Sequence, residues 1–232
     1  MRAIRRLLLF VAVSAAFSLS AHAEIRIVAL GDSNFRPPSL SADDPGTLAL
    51  NDAYPARLER ALKARGHDVR VTNAGEVGDT TRGIMNRLHT AVPEGTQIVV
   101  LSIGVNDIHQ FGIDPPTVYR NMYGIIEHLR DRHIEVLVFL PITYADGQKG
   151  ELADYPPAVQ APYRHLEQRG VIFTPSFQWK ILKDPKFHVE EIAAGVTGTL
   201  QGTSWHLNIA GVDLVVARTV PLVETLIGRL AR

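Results

Sequence analysis

Four short blocks of this chain hold residue types that can do acyl-transfer chemistry. They are Gly31-Asp32-Ser33-Asn34, Asn73-Ala74-Gly75-Glu76-Val77-Gly78-Asp79-Thr80, Gly104-Val105-Asn106-Asp107 and Trp205-His206-Leu207-Asn208. A serine hydroxyl is a weak nucleophile at neutral pH and needs a base such as histidine. Attack on an ester carbonyl puts negative charge on its oxygen, and donors aimed at that oxygen are worth several kcal/mol. Glycine lets a backbone N–H come close, an asparagine amide offers a second donor, and the serine's own N–H a third. Each block alone is a common turn, and it is their order that gives them weight.

Other chemistries lack their residues. The chain has no cysteine, which removes disulfides, thiolate metal sites and cysteine nucleophiles. None of its nine histidines falls in a metal-ligand spacing such as H-E-x-x-H, so neither metal nor cofactor is implied. A formal net charge of zero offers no generic attraction to nucleic acid. Asp32 and Asp107, inside the blocks, are expected as ligands of backbone N–H groups rather than proton carriers. His67, His89, His128, His133 and His165 fall on helices or near their ends. His109 is a candidate for the pocket rim, His188 has no assigned role, and Trp205 reads as a pocket wall or a core residue.

The elements that must position these blocks alternate. Strand runs are expected over residues 24–30, 68–73, 97–103, 134–140 and 171–173, with the third and fourth nearly all apolar, as in strands covered on both faces. Helical periodicity marks residues 54–65, 80–92, 115–132, 156–168 and 209–230, with Asp79 or Thr80 capping the second and Gly66 stopping the first. This predicts one doubly wound α/β domain with a mostly parallel sheet of about five strands, whose ligand site lies beyond the carboxyl ends of the strands. Three longer irregular stretches, 34–52, 146–157 and 184–204, the last expected to be partly helical, would lie on the surface, and two of them follow strand ends and could line or cover a site.

Residues 1–23 read as a secretory signal peptide. Arg2, Arg5 and Arg6 precede a short apolar run, and Ala21-His22-Ala23 forms a small-x-small cleavage site before Glu24. Residues 24–232 would be the mature domain, exported to the periplasm or the medium. Removing the leader takes away three arginines and no acid, leaving a formal charge of −3. A membrane anchor is the alternative reading. No later stretch is apolar enough to span a bilayer.

The segments IVALGDSN, YPARLERALKARGHDVRVTNAGEVGDTTRGIMNRL and VVLSIGVND, with the histidine before the last helix, resemble the SGNH (GDSL-type) hydrolase superfamily. Within it the chain is most similar to the bacterial exported thioesterase/lysophospholipase and arylesterase group. The resemblance implies a flavodoxin-like SGNH-hydrolase fold and no cofactor. It implies Ser33 as nucleophile, His206 as base, and the Ser33 and Gly78 N–H groups with the Asn106 amide as oxyanion hole. The substrate would be a small-molecule ester or thioester, with acyl lipids and acylated sugars both in the class. Two positions depart from the pattern. Asn34 stands where the family usually has leucine, and Thr203 where D-x-x-H has its aspartate. The expected mechanism is therefore a Ser–His dyad, with Asp184, Glu190, Glu191 or Asp213 as alternative acids recruited in space. A decayed SGNH-fold protein that only binds an acylated ligand or partner is the alternative function.

Overall fold

The computed structural model describes residues 23–36, 48–140, 157–174, 181, 186 and 206–232. Residues 1–22 of the expected leader, with Thr203, Trp205, His188, Asp184, Glu190 and Glu191, lie outside them. Among the described residues no helix is long and apolar enough to cross a membrane.

Five strands form one parallel sheet: β1 (Ile25–Gly31), β2 (Val69–Gly75), β3 (Ile98–Ser102), β4 (Glu135–Phe139) and β5 (Ile172–Thr174), in the order β2-β1-β3-β4-β5. The described helices are α1 (Tyr54–Ala64), α2 (Thr81–Ala91), α3 (Val105–His109), α4 (Pro115–Asp131), α5 (Pro157–Gln168) and α6 (Ile209–Leu230), with a 3₁₀ turn over Leu50–Asp52. The doubly wound expectation holds. The chain leaves β1 toward β2 on one side and returns past it to β3 on the other. That reversal opens a crevice at the ends of β1 and β3, where such sheets bind ligands.

Both faces of the sheet are covered, which is why its inner strands β3 and β4 read as nearly unbroken apolar runs. Val28, Leu30, Val99, Leu101, Val136 and Val138 pack with α2, α4 and α5 residues such as Ile84, Met122 and Leu166. Ile27, Ala29, Ile98, Val100, Leu137 and Phe139 pack with α1 and α6 residues such as Leu58, Leu62, Val216 and Val223. Each large side chain so buried contributes about 1.5–3 kcal/mol before entropy is counted. The chain stops α1 as expected: Gly66 takes φ 90°. The His67 N–H returns to the Leu62 carbonyl at 3.2 Å, as in a Schellman end. Helix α3 was not expected. Gly104, at φ 107°, turns the chain off β3 so sharply that Val105 to His109 wind at once into a short helix.

Candidate active site

The register aligns three strand ends. Gly31 pairs with Gly75 on one side and Ser102 on the other, so β1, β2 and β3 finish level. The blocks that follow them therefore emerge along one edge. Ser33 comes two residues past that line, Gly78 three residues past it and Asn106 four.

The turn after β1 is over-determined. The Phe35 and Arg36 N–H groups donate to the Asp32 carbonyl at 3.1 and 3.2 Å. Asp32 Oδ1 accepts from the Asn34 backbone N–H at 2.9 Å and from Asn34 Nδ2 at 2.8 Å. Asn73 Nδ2 donates to the Phe35 carbonyl at 2.8 Å, joining this turn to β2. Below it the Phe35 ring stacks on Tyr54 at 4.9 Å, and Phe139 meets both rings edge-on. Only glycine fits at Gly31, where a Cβ would stand 2.5 Å from the Ser102 carbonyl oxygen.

The loop after β2 is fastened by Arg87 of α2. Its Nε and Nη2 donate to Asp79 Oδ2 at 2.8 and 2.6 Å, and Nη2 also reaches the carbonyls of Ala74 at 2.9 Å and Gly31 at 3.2 Å. One guanidinium thus joins the ends of β1 and β2 to the residue after Gly78. Thr80 caps α2, its hydroxyl accepting from the Gly83 N–H at 3.1 Å. Gly78 holds φ 74°, a left-handed conformation that favours glycine, and a Cβ there would meet nothing nearer than Gln110 Oε1 at 4.0 Å.

The loop after β3 is tied to the same place. Asn106 Nδ2 donates to the Asp79 carbonyl at 2.8 Å. Asp107, fully buried, accepts from the Thr81 N–H at 2.9 Å and from its hydroxyl, so it caps α2 across the crevice. Asp32 and Asp107 are thus ligands of backbone N–H groups, as expected.

Ser33 and His206 line one cleft. Its other walls are Asn34 and Phe35 of the β1 turn, Leu48, Tyr54, and Leu207, Val212 and Val215 at the start of α6. Asn208 caps α6, accepting from the Gly211 N–H at 3.0 Å, and sets where His206 enters the site. Asp213 does not serve His206 in this arrangement: it pairs with Arg57, which also holds Asp52 at 2.9 Å. His109 ends α3 and is exposed; like Gly78 and Asn106, it is not among the residues that line this cleft.

Asp32 is the perturbed acid of the site. Burial pushes its carboxyl up to about 6; the Asn34 donors and the charge of His206 pull it down, and Asp79 pushes it up. Its Oδ2 is buried with no hydrogen-bond partner. Sequence reasoning missed Arg87, Asn73 and the Asn34 side chain as organisers of the site. Arg87 follows Ile84 by three residues, so of the two arginines of α2 it is the one beside the apolar stripe, and that was its available signal.

A doubly wound parallel sheet with its crevice at the switch point hosts many chemistries, and similarity to known proteins narrows them. The chain belongs to the GDSL-like lipase/acylhydrolase family, whose model matches residues 29–214. It is 26% identical to an arylesterase of Vibrio mimicus over 189 residues, 80% of this chain and 85% of the relative. The crystal structure of AlinE4, an SGNH-hydrolase family esterase, superposes with a TM-score of 0.51 at 26% identity, covering 89% of this chain and 98% of the other. The esterase EstA from Pseudoalteromonas sp., inhibited by monoethylphosphonate, shares the fold with a TM-score of 0.62 at 14% identity, over 88% of this chain and all of that one.

Proposed function

We propose that this protein is an exported serine esterase that works through an acyl-enzyme on Ser33, with His206 as base. The observation that carries this reading is that Ser33 and His206 line one cleft, while the Gly78 and Asn106 loops leave the same edge of the sheet and are hydrogen-bonded to each other. His206 takes the proton from Ser33 as its Oγ bonds to the carbonyl carbon. The charge that forms on the carbonyl oxygen is met by the Ser33 and Gly78 N–H groups and the second hydrogen of Asn106 Nδ2. As the tetrahedral centre collapses, the leaving oxygen or sulfur takes the proton from His206. Water then attacks the acyl carbon, His206 removes its proton, and that proton returns to Ser33 as the acid departs.

Apolar walls at Phe35, Leu48, Val212 and Val215 support an ester with an apolar acyl or aryl group. So do the exposed side chains of Val77, 55% accessible, and Phe111, 56%, beside Gly78 and Asn106. Export rests on the leader-like residues 1–23, and recovery of a secreted chain beginning at Glu24 would establish it.

A fluorophosphonate probe tests the assignment. The mature protein should label, Ser33→Ala should not, and p-nitrophenyl esters of increasing chain length should be turned over until the cleft is filled. No labelling, together with retained affinity for an acylated ligand, would mean a decayed enzyme that only binds.

A further inference from the structure

We infer that Asn121 of α4 is a positioning residue for Asn106, acting through the Thr81 hydroxyl and the Asp107 carboxylate. This rests on the reading of Asn106 as an oxyanion donor. Helix α3, which carries Asn106 in its first turn, has only five residues. A helix that short does not hold itself in place, so its position is set by what ties it down. Asp107, the next residue, is such a tie. Its side chain is wholly buried, a cost that hydrogen bonds must offset. Oδ2 accepts from the Thr81 N–H at 2.9 Å, and Oδ1 accepts from the same N–H at 3.1 Å and from the Thr81 hydroxyl at 2.5 Å.

These bonds close a ring. Asn106 Nδ2 reaches the Asp79 carbonyl, the chain runs from Asp79 through Thr80 to Thr81, and Thr81 returns to Asp107, the neighbour of Asn106. Asn121 pins this ring from outside. Its Nδ2 donates to Thr81 Oγ1 at 2.9 Å. A hydroxyl has one hydrogen, and a donor on its lone pair leaves that hydrogen for Asp107. Thr81 is itself wholly buried, so its hydroxyl is shielded from bulk water. On α4 the flanking Val118 and Met122 are buried in the core, so the Asn121 amide is presented from a rigid element. Asn121 thus acts on the oxyanion only through Asn106.

Steady-state kinetics of the purified protein on a p-nitrophenyl ester test this, in a double-mutant cycle through Asn106. Asn121→Leu removes the amide at nearly constant size. It should lower kcat by about 10-fold to 10²-fold with KM little changed, the cost of a misplaced transition-state donor. Thr81→Val should do the same, and Thr81→Ser, which keeps the hydroxyl, should recover most of that turnover. In the Asn106→Ala background, Asn121→Leu or Thr81→Val should each cost roughly twofold at most, because the group they position is gone. The two changes are read independently, so misfolding of one leaves the other to decide. A folded Asn121→Leu protein with full turnover overturns the proposal. So does a change confined to KM, or a loss of the same size with and without the Asn106 side chain, which is what a merely structural role would give. Full turnover in Asn106→Ala would instead overturn the oxyanion assignment beneath it.

Discussion

Asn106 Nδ2 donates to the backbone carbonyl of Asp79 at 2.8 Å, so the loop after β3 is hydrogen-bonded to the loop after β2. That bond decides which end of the amide is nitrogen, and it uses one of two hydrogens. It also couples two candidate oxyanion donors, because Asp79 follows Gly78 directly. Any shift of one loop is felt by the other.

Asn106→Ala should therefore lower kcat by about 10²–10³, the usual cost of one lost oxyanion donor. KM should move little, since the bond forms chiefly in the transition state. Steady-state kinetics on a p-nitrophenyl ester decide the matter: an effect confined to KM would make Asn106 a ground-state binder.

Gly78→Ala isolates the backbone. The nearest atom to a new Cβ is Gln110 Oε1 at 4.0 Å, so no clash arises, but φ is 74°. The expected cost is about 1–2 kcal/mol of left-handed strain. Either the melting temperature falls by the corresponding few degrees, about 2–8 °C, or the loop relaxes and kcat drops instead. Unchanged melting and unchanged turnover would show that Gly78 does not need its conformation.

Arg87→Met should destabilise the protein by about 3 kcal/mol, because Asp79, only 7% accessible, would be left as an uncompensated carboxylate. The same change unties the carbonyls of Gly31 and Ala74. Denaturant unfolding measures the first effect. A fall in kcat in the still-folded fraction measures the second.

Asp32→Asn should remove a pH dependence of stability. The Asp32 carboxyl titrates at about 6 when folded, against 3.8 for the ordinary group. The folded state thus holds this proton more tightly, and stability declines as pH rises from about 4 to beyond 6. The decline is on the order of 3 kcal/mol for this one group. Asparagine keeps the acceptor for the Asn34 N–H and carries no charge to bury. The variant should lack that decline and melt no lower than the parent at pH 7.5. Thermal unfolding across that range checks it, and equal pH dependence in the two proteins would contradict it.

Much of the fold was legible before any coordinates. A strand covered on both faces must be apolar throughout, so Ile98–Ser102 and Glu135–Phe139 stand out against helices whose apolar residues recur every three or four positions. Short polar blocks after such strands mark the loop edge, which is why Ser33, Gly78 and Asn106 could be singled out. Helix α3 escaped because five residues are too few for a period to show. Its start depends on the left-handed Gly104, a backbone fact rather than a pattern.

What the linear chain determined, then, was the set of elements and the chemical groups at their ends, because periodicity and residue type are local properties. Tertiary structure decided which groups serve one another. Asn34 closes on Asp32, and Arg87 reaches back 56 positions to Gly31, while Asp213 crosses 156 positions to pair with Arg57 and not with His206. Residues that far apart meet only once the sheet has its strand order and the helices have covered it. Whether a buried acid is satisfied, raised in pKa or left with an open oxygen depends on that assembly, because desolvation and hydrogen bonding are properties of the packed environment.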